Sequence, residues 1–337
     1  HDIAELAGVT RITVSRYLRE PTQVSQETAA RVQQAVDAMG YVPNQQAGQL
    51  ASGHSRIVAA LIPNIGNSIF AETIQGLSEE LAHSGYQLML MSNGYSLERE
   101  VEQLRAVMGW SPAALIVTGR QHLEAAQTLL LRACGLGTPV LQIWDYQNAK
   151  ETPPQGIVQV GFNHGEVGRL MARHFIDSGH RELAFADSGV LEDYRAHERA
   201  EGFVRAARHA RVRVRTVLAP RGDAFDGGRA VLQALRRQYP QVSAVAFAND
   251  HLACGALMQA LEMGLKVPDT LAMLGFGDFP IGRQLQPALS TMRAPRTEIG
   301  RAAAEIVLAC LREGTPPQSR WLPCELVQRE KIGRAHV

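Results

Sequence analysis

The chain has 337 residues, of which 45% are hydrophobic and 20% are charged, and its formal net charge at pH 7 is +1. This length allows more than one hydrophobic core, and the composition excludes the fibrous and disordered classes. The apolar runs stay below the roughly 18 residues of a membrane-spanning helix, and the start of the chain lacks a secretory signal pattern. We therefore expect a cytoplasmic globular protein. Its small net charge alone does not indicate a partner such as a nucleic acid.

The first 20 residues predict two short helices around a tight turn. Asp2 and Glu5 have the spacing of a capping box, Gly8 ends the first helix, and Thr10 is a natural cap for the second. The polar face of the second helix carries groups that donate hydrogen bonds to phosphates and base edges in a DNA major groove. These residues are Arg11, Thr13, Ser15, Arg16 and Arg19. The alternative is a small helical subdomain whose arginines only face solvent.

A third helix is predicted after Pro21, with Ser25 as its cap and Gly40 as its end. Its predicted inner face consists of Ala29, Val32, Val36 and Met39. Three helices of this size bury one small core, so residues 1–43 are predicted to form a helix-turn-helix DNA-binding head.

Residues 44–56 are predicted to be a hinge. Asn44 can cap a helix over residues 45–52, but this stretch is short, rich in glutamine and interrupted by Gly48. Such a sequence does not hold a helix alone in water, so DNA or a second hinge would have to stabilise it. The segment is therefore a candidate switch, and the alternative is an ordinary flexible linker.

From residue 57 onward, apolar runs alternate with helical patterns, as in βαβ units with buried parallel strands. The first set of predicted strands is 57–62, 87–91, 114–117, 140–143 and 157–161, after which the chain crosses to a second set. The second set is 183–186, 214–218, 244–248 and 271–274, and residues 291–293 cross back. The fold class is therefore α/β. We expect an all-α head and a two-lobed core over residues 57–330, with a ligand cleft at the carboxyl ends of the strands.

The motifs of the head resemble the start of LacI/GalR-family transcriptional regulators. The matching spacing is A-G-V-T-x-x-T-V-S-R from Ala7, then Val24-Ser25, then G-Y-V-P-N from Gly40. The resemblance covers residues 2–330 and includes Ile69-Phe-Ala-Glu72, Val160-Gly-Phe-Asn163, Ala248-Asn-Asp250 and Gly275-Phe-Gly-Asp278. Residues 14–25 and 69–72 look most like the gluconate-operon repressor subgroup. The resemblance implies a periplasmic-binding-protein-like core and a homodimer on operator DNA.

The resemblance also implies which residues of the head and hinge contact DNA. Base-reading positions fall on Arg11, Ile12 and Arg16, and phosphate-contacting positions fall on Thr13 and Ser15. In the hinge, the implied contacts are Asn44, Ala47 and Leu50. Leu50 stands where the family places a minor-groove wedge, which unstacks a base step and kinks the duplex.

For the cleft, the resemblance matches Arg199 to a ligand-binding arginine and Phe70 to a ligand-stacking aromatic residue. We add residues that end or follow predicted strands, so the full effector-binding set is Phe70, Thr118, Asp145, Arg199, Asn249, Asp250 and Asp278. The alternatives are a surface position for Arg199, a core position for Phe70, and a cap for the helix starting at His251 in the case of Asp250.

One departure from the family indicates the class of effector. Many sugar-binding relatives carry an aspartate two residues after Gly275, where this chain has Gly277, and Asp278 follows. Loss of a carboxylate acceptor disfavours a neutral polyol and relieves repulsion of an anion. Together with Arg199, this favours a sugar acid as the small-molecule effector. Regulation of another sugar or purine pathway is the alternative.

An enzyme is disfavoured because the glycine-rich segments 222–228 and 275–277 match neither a dinucleotide-binding turn nor a P-loop, and no G-x-S-x-G occurs. A solute-binding protein would share the core but not the helix-turn-helix. The four cysteines show no metal-like spacing, so we expect reduced thiols and neither metal nor cofactor. The start at His1 suggests a missing leading segment. Residues 331–337 resemble a translated sequencing adapter, which we expect to be a non-native tail.

Overall fold

The computed structural model describes residues 2–19, 21–42, 55–66, 68–147 and 156–329. The predicted hinge contacts Asn44, Ala47 and Leu50 lie outside the described residues, as does the predicted tail 331–337. The chain divides into two compact units, His1–Arg56 and Ile57–Val337, and each is described by itself.

The first unit contains three helices, α1 (Asp2–Leu6), α2 (Arg11–Arg19) and α3 (Gln26–Ala38), with a short 3-10 turn at Pro21–Gln23. Its small core is formed by Ile3, Ala4, Ala7, Val14, Val32 and Ala35.

The predicted caps of α2 and α3 are confirmed. The hydroxyl of Thr10 accepts a hydrogen bond from the Thr13 N–H at 3.2 Å, and that of Ser25 accepts one from the Thr28 N–H at 3.3 Å. The predicted inner face of α3 is wrong at Met39, which is the C-cap and is 44% exposed. Ala35 occupies the core instead, because it lies three residues after Val32 on the same face.

The first lobe of the second unit is an α/β layer with a parallel sheet. Its elements are β1 (Ile57–Ile62), α4 (Ser68–His83), β2 (Gln87–Ser92), α5 (Leu97–Met108), β3 (Ala114–Thr118), α6 (Glu124–Gly135), β4 (Val140–Ile143) and β5 (Ile157–Gly161). The second lobe contains α7 (His164–Asp177), β6 (Glu182–Asp187), α8 (Tyr194–His209), β7 (Arg213–Leu218), α9 (Ala224–Gln238), β8 (Ala244–Phe247), α10 (Asp250–Glu262), β9 (Ala272–Phe276), α11 (Pro280–Gln284) and β10 (Ser290–Arg293).

The last elements return to both lobes. They are α12 (Arg296–Glu313), which packs on α4, and two short strands, β11 (Arg320–Trp321) and β12 (Glu325–Val327). The strand orders are β11-β5-β4-β3-β1-β2 in the first sheet and β12-β10-β9-β8-β6-β7 in the second. Only β12 runs antiparallel to its neighbour among the described strand pairs. The chain therefore crosses between the lobes three times, and the sequence predicted only two of these crossings.

The predicted α/β class is confirmed, and the predicted strands agree with the observed ones to within two residues at each end. Strands β1 and β8 and residues 114–117 of β3 are continuous apolar runs with buried side chains, as expected for parallel strands covered on both faces. Strands β4 and β5 each contain a buried glutamine, Gln142 and Gln159, and most residues of the edge strand β7 are exposed. All four cysteines are free thiols. Within the described part of the chain, no helix combines the length and apolar character needed to cross a membrane.

Two glycines bring α7 and α8 into unusually close contact. A Cβ atom on Gly168 would lie 1.9 Å from the carbonyl oxygen of Arg199, and one on Gly202 would lie 2.0 Å from the carbonyl oxygen of Gly165. Neither position has room for a side chain, so the helices pack backbone to backbone. This packing fixes the part of α8 that carries Arg199.

Candidate functional site

The surface of α2 matches the face expected to read DNA. Arg11, Ser15 and Arg16 are exposed, and Ile12 exposes 69% of its surface although it is apolar. Val14 points into the small core and anchors the helix. Two guanidinium groups and an apolar side chain on one exposed surface fit major-groove edges, where arginine pairs with guanine and apolar groups contact thymine methyls.

Thr13 has a different environment from the other predicted DNA contacts. Its side chain is half-buried, and its hydroxyl lies 2.9 Å from the Thr10 hydroxyl. The same Thr10 hydroxyl caps α2. Thr13 therefore stabilises the helix N-terminus, where backbone N–H groups favour a phosphate.

A cleft lies between the two lobes of the second unit, at the carboxyl ends of their strands. It encloses about 410 Å³ of empty volume, including the part that is open to solvent. It is lined by Ile69, Phe70, Tyr95, Trp144, His164, Asp193, Arg195, Arg199, Ala248, Asn249 and Phe276. Of the predicted effector-binding residues, Phe70, Arg199 and Asn249 are thus brought together in one space.

Arg199 is buried and held by neutral groups. Its Nη1 lies 2.8 Å from Nδ1 of His164, and its Nη2 donates to the carbonyl oxygen of Ala248 at 3.0 Å. The guanidinium carbon stacks 4.0 Å from the ring centre of Phe276. The Nε atom is buried and has no hydrogen-bond partner among the described residues. A buried donor without an acceptor costs free energy, which an anionic ligand would recover.

His164 is a neutral base in this arrangement. Its Nε2 lies 2.8 Å from the carbonyl oxygen of Trp144 and donates to it, so Nδ1 is the acceptor for Arg199. Burial, reinforced by the charges of Arg199 and Arg195, holds the pKa of His164 well below its usual range. The imidazole therefore adds no charge to the cleft at neutral pH.

Arg195 and Asp193 form a charged pair in the cleft lining. Nε of Arg195 lies 3.7 Å from the Asp193 carboxylate, and its Nη1 donates to the carbonyl oxygen of Thr118 at 3.4 Å. Two arginines, one aspartate and a neutral histidine give the cleft lining a formal charge of +1. Arg195 is therefore paired with a carboxylate. Arg199, the other cation of the lining, makes no bond to a carboxylate among the described residues.

Aromatic rings form the apolar wall of the cleft. Phe70 and Trp144 pack edge to face with ring centres 5.3 Å apart, and Trp144 packs in the same way on Phe162 at 5.8 Å. The indole N–H of Trp144 donates to the Thr73 hydroxyl at 3.1 Å, which fixes the ring. Phe70 is only 3% exposed, so it belongs to the hydrophobic core and also lines the cleft.

The cap of α10 is Asn249 and not Asp250, so the alternative role expected for Asp250 is wrong. Asn249 Oδ1 accepts the Leu252 N–H at 3.0 Å. Asp250 instead faces the interior of the second lobe. Its carboxylate accepts the Thr291 hydroxyl and the Phe279 N–H, each at 2.7 Å. Burial raises the pKa of Asp250 to about 6 despite these bonds, and the residue does not line the described cleft.

Asp278 also lies apart from the residues that line the cleft. Its carboxylate accepts hydrogen bonds from Arg283 at 2.9 Å, Arg293 at 2.7 Å, and Arg329 near the end of the described chain. Burial opposes ionisation, but the bonds from the three guanidinium groups lower the pKa of Asp278 to about 2. These contacts indicate that Asp278 holds the side chains of three arginines in place.

Gly277 has a steric reason to be glycine. Its φ is +126°, and a Cβ atom there would lie 2.8 Å from the Phe279 ring. A residue with a carboxylate side chain is therefore excluded by the local backbone and by Phe279. Gly277 is not one of the residues that line the cleft, so these local contacts account for the missing carboxylate.

Thr118 and Asp145 lie beside the cleft lining. The Thr118 hydroxyl donates to the carbonyl oxygen of Leu61 at 3.0 Å, and Asp145 bonds to Arg120 and Tyr194. Among the polar residues of the lining, sequence reasoning missed Tyr95, His164, Asp193 and Arg195. All four follow the carboxyl end of a parallel strand, and inspection of every such strand end would have identified them.

Comparisons with known proteins agree with both units. Residues 1–44 match the bacterial regulatory proteins of the lacI family, and residues 172–330 match a periplasmic binding protein-like domain. The HTH-type transcriptional regulator GntR of Escherichia coli is 34% identical over 92% of this chain and 91% of its own length. GntR of Pseudomonas aeruginosa is 36% identical over 92% of this chain and 88% of its own length.

A solved structure also matches the whole chain. The crystal structure of a LacI-family transcriptional regulator from Silicibacter pomeroyi has a TM-score of 0.89 and 33% identity, over 99% of this chain and 98% of that one. These relatives are transcriptional regulators, which confirms the predicted class of function. The chain therefore belongs to the LacI family of bacterial regulatory proteins and is a DNA-binding transcription regulator.

Proposed function

We propose that this regulator is a repressor of sugar-acid utilisation genes, and that a gluconate-type monocarboxylate in the cleft releases it from operator DNA. The observation that carries the proposal is Arg199, a buried guanidinium with an unpartnered Nε in a cleft of formal charge +1. A carboxylate there would make charge-assisted hydrogen bonds and balance the charge of the lining.

The rest of the cleft suits the polyol part of such a ligand. Asn249, Tyr95 and the Arg195–Asp193 pair offer polar groups, while Phe70 and Trp144 offer apolar ring surface. A single net positive charge favours a monoanion over a dianion, because a second unbalanced negative charge would be costly in a buried site. The names of the GntR relatives and the resemblance of residues 14–25 and 69–72 support the same class of ligand.

For the DNA side, we propose that residues 1–43 read the operator, that 44–56 act as the hinge, and that 57–330 bind the effector and dimerise. One small head gives little affinity, and a two-fold dimer would place two α2 helices on the half-sites of a near-palindromic operator. Effector binding and operator binding must then be linked by the same coupling free energy in both directions.

Calorimetric titration of the full chain tests the effector class. The panel is gluconate, 2-ketogluconate, 6-phosphogluconate, glucose and a purine base. We expect binding of gluconate or its keto derivative, no binding of glucose, and loss of binding in Arg199→Ala. The exposed Arg237 on α9 provides the matched control, and Arg237→Ala should bind as the unchanged protein does.

Two results would overturn the proposal. One is binding of glucose or the purine without a response to any sugar acid, and the other is undiminished gluconate binding in Arg199→Ala. The sign of regulation is tested by fluorescence anisotropy with labelled operator. Release of DNA by the bound ligand supports an inducer, whereas tighter DNA binding would make the ligand a corepressor.

A further inference from the structure

A cluster of four polar side chains joins the two lobes beside the cleft. Arg120 follows β3 and Asp145 follows β4 in the first lobe, whereas Tyr194 and Glu198 lie on α8 in the second lobe. Arg120 Nη1 donates to Asp145 at 2.8 Å and to Glu198 at 3.3 Å, and its Nη2 also bonds Glu198. These contacts connect the lobes through charged hydrogen bonds.

Tyr194 is the central residue of this cluster. Its hydroxyl donates to the Asp145 carboxylate and accepts the backbone N–H of Arg120 at 2.7 Å. Two guanidinium groups also lie over its ring, that of Arg120 at 5.3 Å and that of Arg195 at 5.2 Å from the ring centre. These cation–π contacts help to hold the phenol in place.

The loop after β3 is shaped to receive this phenol. Gly119 has a φ of +90°, and a Cβ atom there would lie 2.5 Å from the Tyr194 hydroxyl oxygen and 2.6 Å from Nη1 of Arg195. Only glycine fits both the backbone conformation and the approach of the second lobe. The loop of the first lobe at Gly119 therefore packs closely against the Tyr194 side chain.

The same cluster determines where Arg195 lies. Arg195 stacks on Tyr194 and donates across the lobe boundary to the carbonyl oxygen of Thr118 at 3.4 Å, while the residue lines the cleft. Separation of the lobes would break the bond between Arg195 and Thr118. It would also break the bonds that Tyr194 and Glu198 make to the first lobe. The position of a cleft arginine is thus tied to lobe closure.

We propose that Arg120, Asp145, Tyr194 and Glu198 form an interlobe latch that holds the cleft closed and positions Arg195 for the effector. The role of the latch in positioning Arg195 for an effector rests on the proposed function, but its role in holding the cleft closed does not. The latch supplies part of the free energy of closure, so less of it has to come from the ligand. Breaking the latch should lower the closed fraction and reduce the apparent affinity for any ligand that needs the closed cleft.

Hydrogen exchange of the full chain without ligand tests the latch directly. The Arg120 amide bonds to the Tyr194 hydroxyl, so Tyr194→Phe removes its acceptor while keeping the ring. We expect exchange at this amide to accelerate about tenfold or more, since its protection requires the closed latch. Tyr239→Phe is the control, because Tyr239 stacks on Arg215 within the second lobe. Equal exchange in Tyr194→Phe and the unchanged protein would overturn the proposal.

A second measurement separates closure from a merely structural role. In Glu198→Gln and Arg120→Gln, the radius of gyration without ligand should increase in solution X-ray scattering, while the melting temperature stays close to that of the unchanged protein. Unchanged dimensions in both variants, or unfolding instead of opening, would contradict a latch.

Gluconate titration of the same variants tests the link to the effector. We expect Tyr194→Phe and Glu198→Gln to bind gluconate about tenfold more weakly through the smaller closed population. The double variant should lose less than the product of the single effects, since Tyr194 and Glu198 both bond to Arg120 and so belong to one hydrogen-bond network. If the unchanged protein does not bind gluconate, the proposed function fails. The exchange and scattering results then still show whether the latch holds the cleft closed. Full gluconate affinity in both variants would overturn the latch.

Discussion

Arg199 and His164 are joined by a 2.8 Å contact between Nη1 and Nδ1, and this bond requires a neutral imidazole. The cleft therefore orients its buried guanidinium with a neutral histidine and a backbone carbonyl, where a structural arginine would often pair with a carboxylate. The positive charge of Arg199 consequently remains available to a ligand.

The low pKa of His164 predicts a specific pH dependence of stability. Its folded pKa is below the usual 6.5, so the unfolded chain takes up a proton first as the pH falls. The contribution of the neutral His164 side chain to the free energy of unfolding is fully present above pH 6.5. Below pH 6.5 it is lost, at up to about 1.4 kcal/mol per pH unit. Urea unfolding should show the advantage of the unchanged protein over His164→Gln shrinking from pH 7.5 to 5.5. The exposed His209→Gln is the control, and a constant advantage would contradict the assigned proton.

The backbone contact of α7 with α8 predicts that Gly202→Ala is destabilising. A Cβ atom 2.0 Å from the Gly165 carbonyl forces the helices apart, which should cost about 1–3 kcal/mol and displace Arg199. Gly135, near the end of α6, has no atom within 4 Å of an added Cβ and provides the control. Thermal unfolding should find Gly135→Ala unchanged or slightly stabilised, and equal stability of the two alanine variants would refute the packing argument.

The fold was predictable because its signals are local. Continuous apolar runs located the strands, and Thr10 and Ser25 marked helix starts through their own hydroxyl groups. The alternative role of Asp250 as a cap is wrong, because its carboxylate bonds to Thr291, which is distant in the sequence. No local pattern reports such a partner.

The candidate site was predictable only in part, for the same reason. Phe70, Arg199 and Asn249 were found through resemblance and strand ends. The contact between Arg120 and Glu198 joins residues 78 positions apart on different lobes, so it depends on how the lobes meet. Spacing within one segment cannot predict it.

The three-arginine environment of Asp278 predicts a second pH effect. Its folded pKa is lowered from 3.8 to about 2, so its contribution is present above pH 3.8 and is lost as the pH falls toward 2. Asp278→Asn should lower the free energy of unfolding at pH 7 by about 2 kcal/mol, the linkage value of that shift. Urea unfolding should show this loss unchanged from pH 7 to 4. The exposed Asp177→Asn is the control, and an equal effect of both would contradict the assigned bonds.

The surface of α2 predicts different roles for two adjacent residues. If Arg16 reads bases, Arg16→Ala should weaken operator binding by about 1–3 kcal/mol and relax the preference at one base pair per half-site. Ser15, as a phosphate contact, should weaken binding to all sequences alike when replaced by alanine.

Binding-site selection with the full chain distinguishes these roles, because it reports preference at each base pair independently of overall affinity. Both side chains are exposed on α2, so neither substitution should disturb the core beneath Val14. Unfolding curves of both variants should therefore match that of the unchanged protein. If Arg16→Ala selects the same sequences with the same preference, Arg16 contacts the phosphate backbone, and Arg11 and Ile12 are left to read the bases.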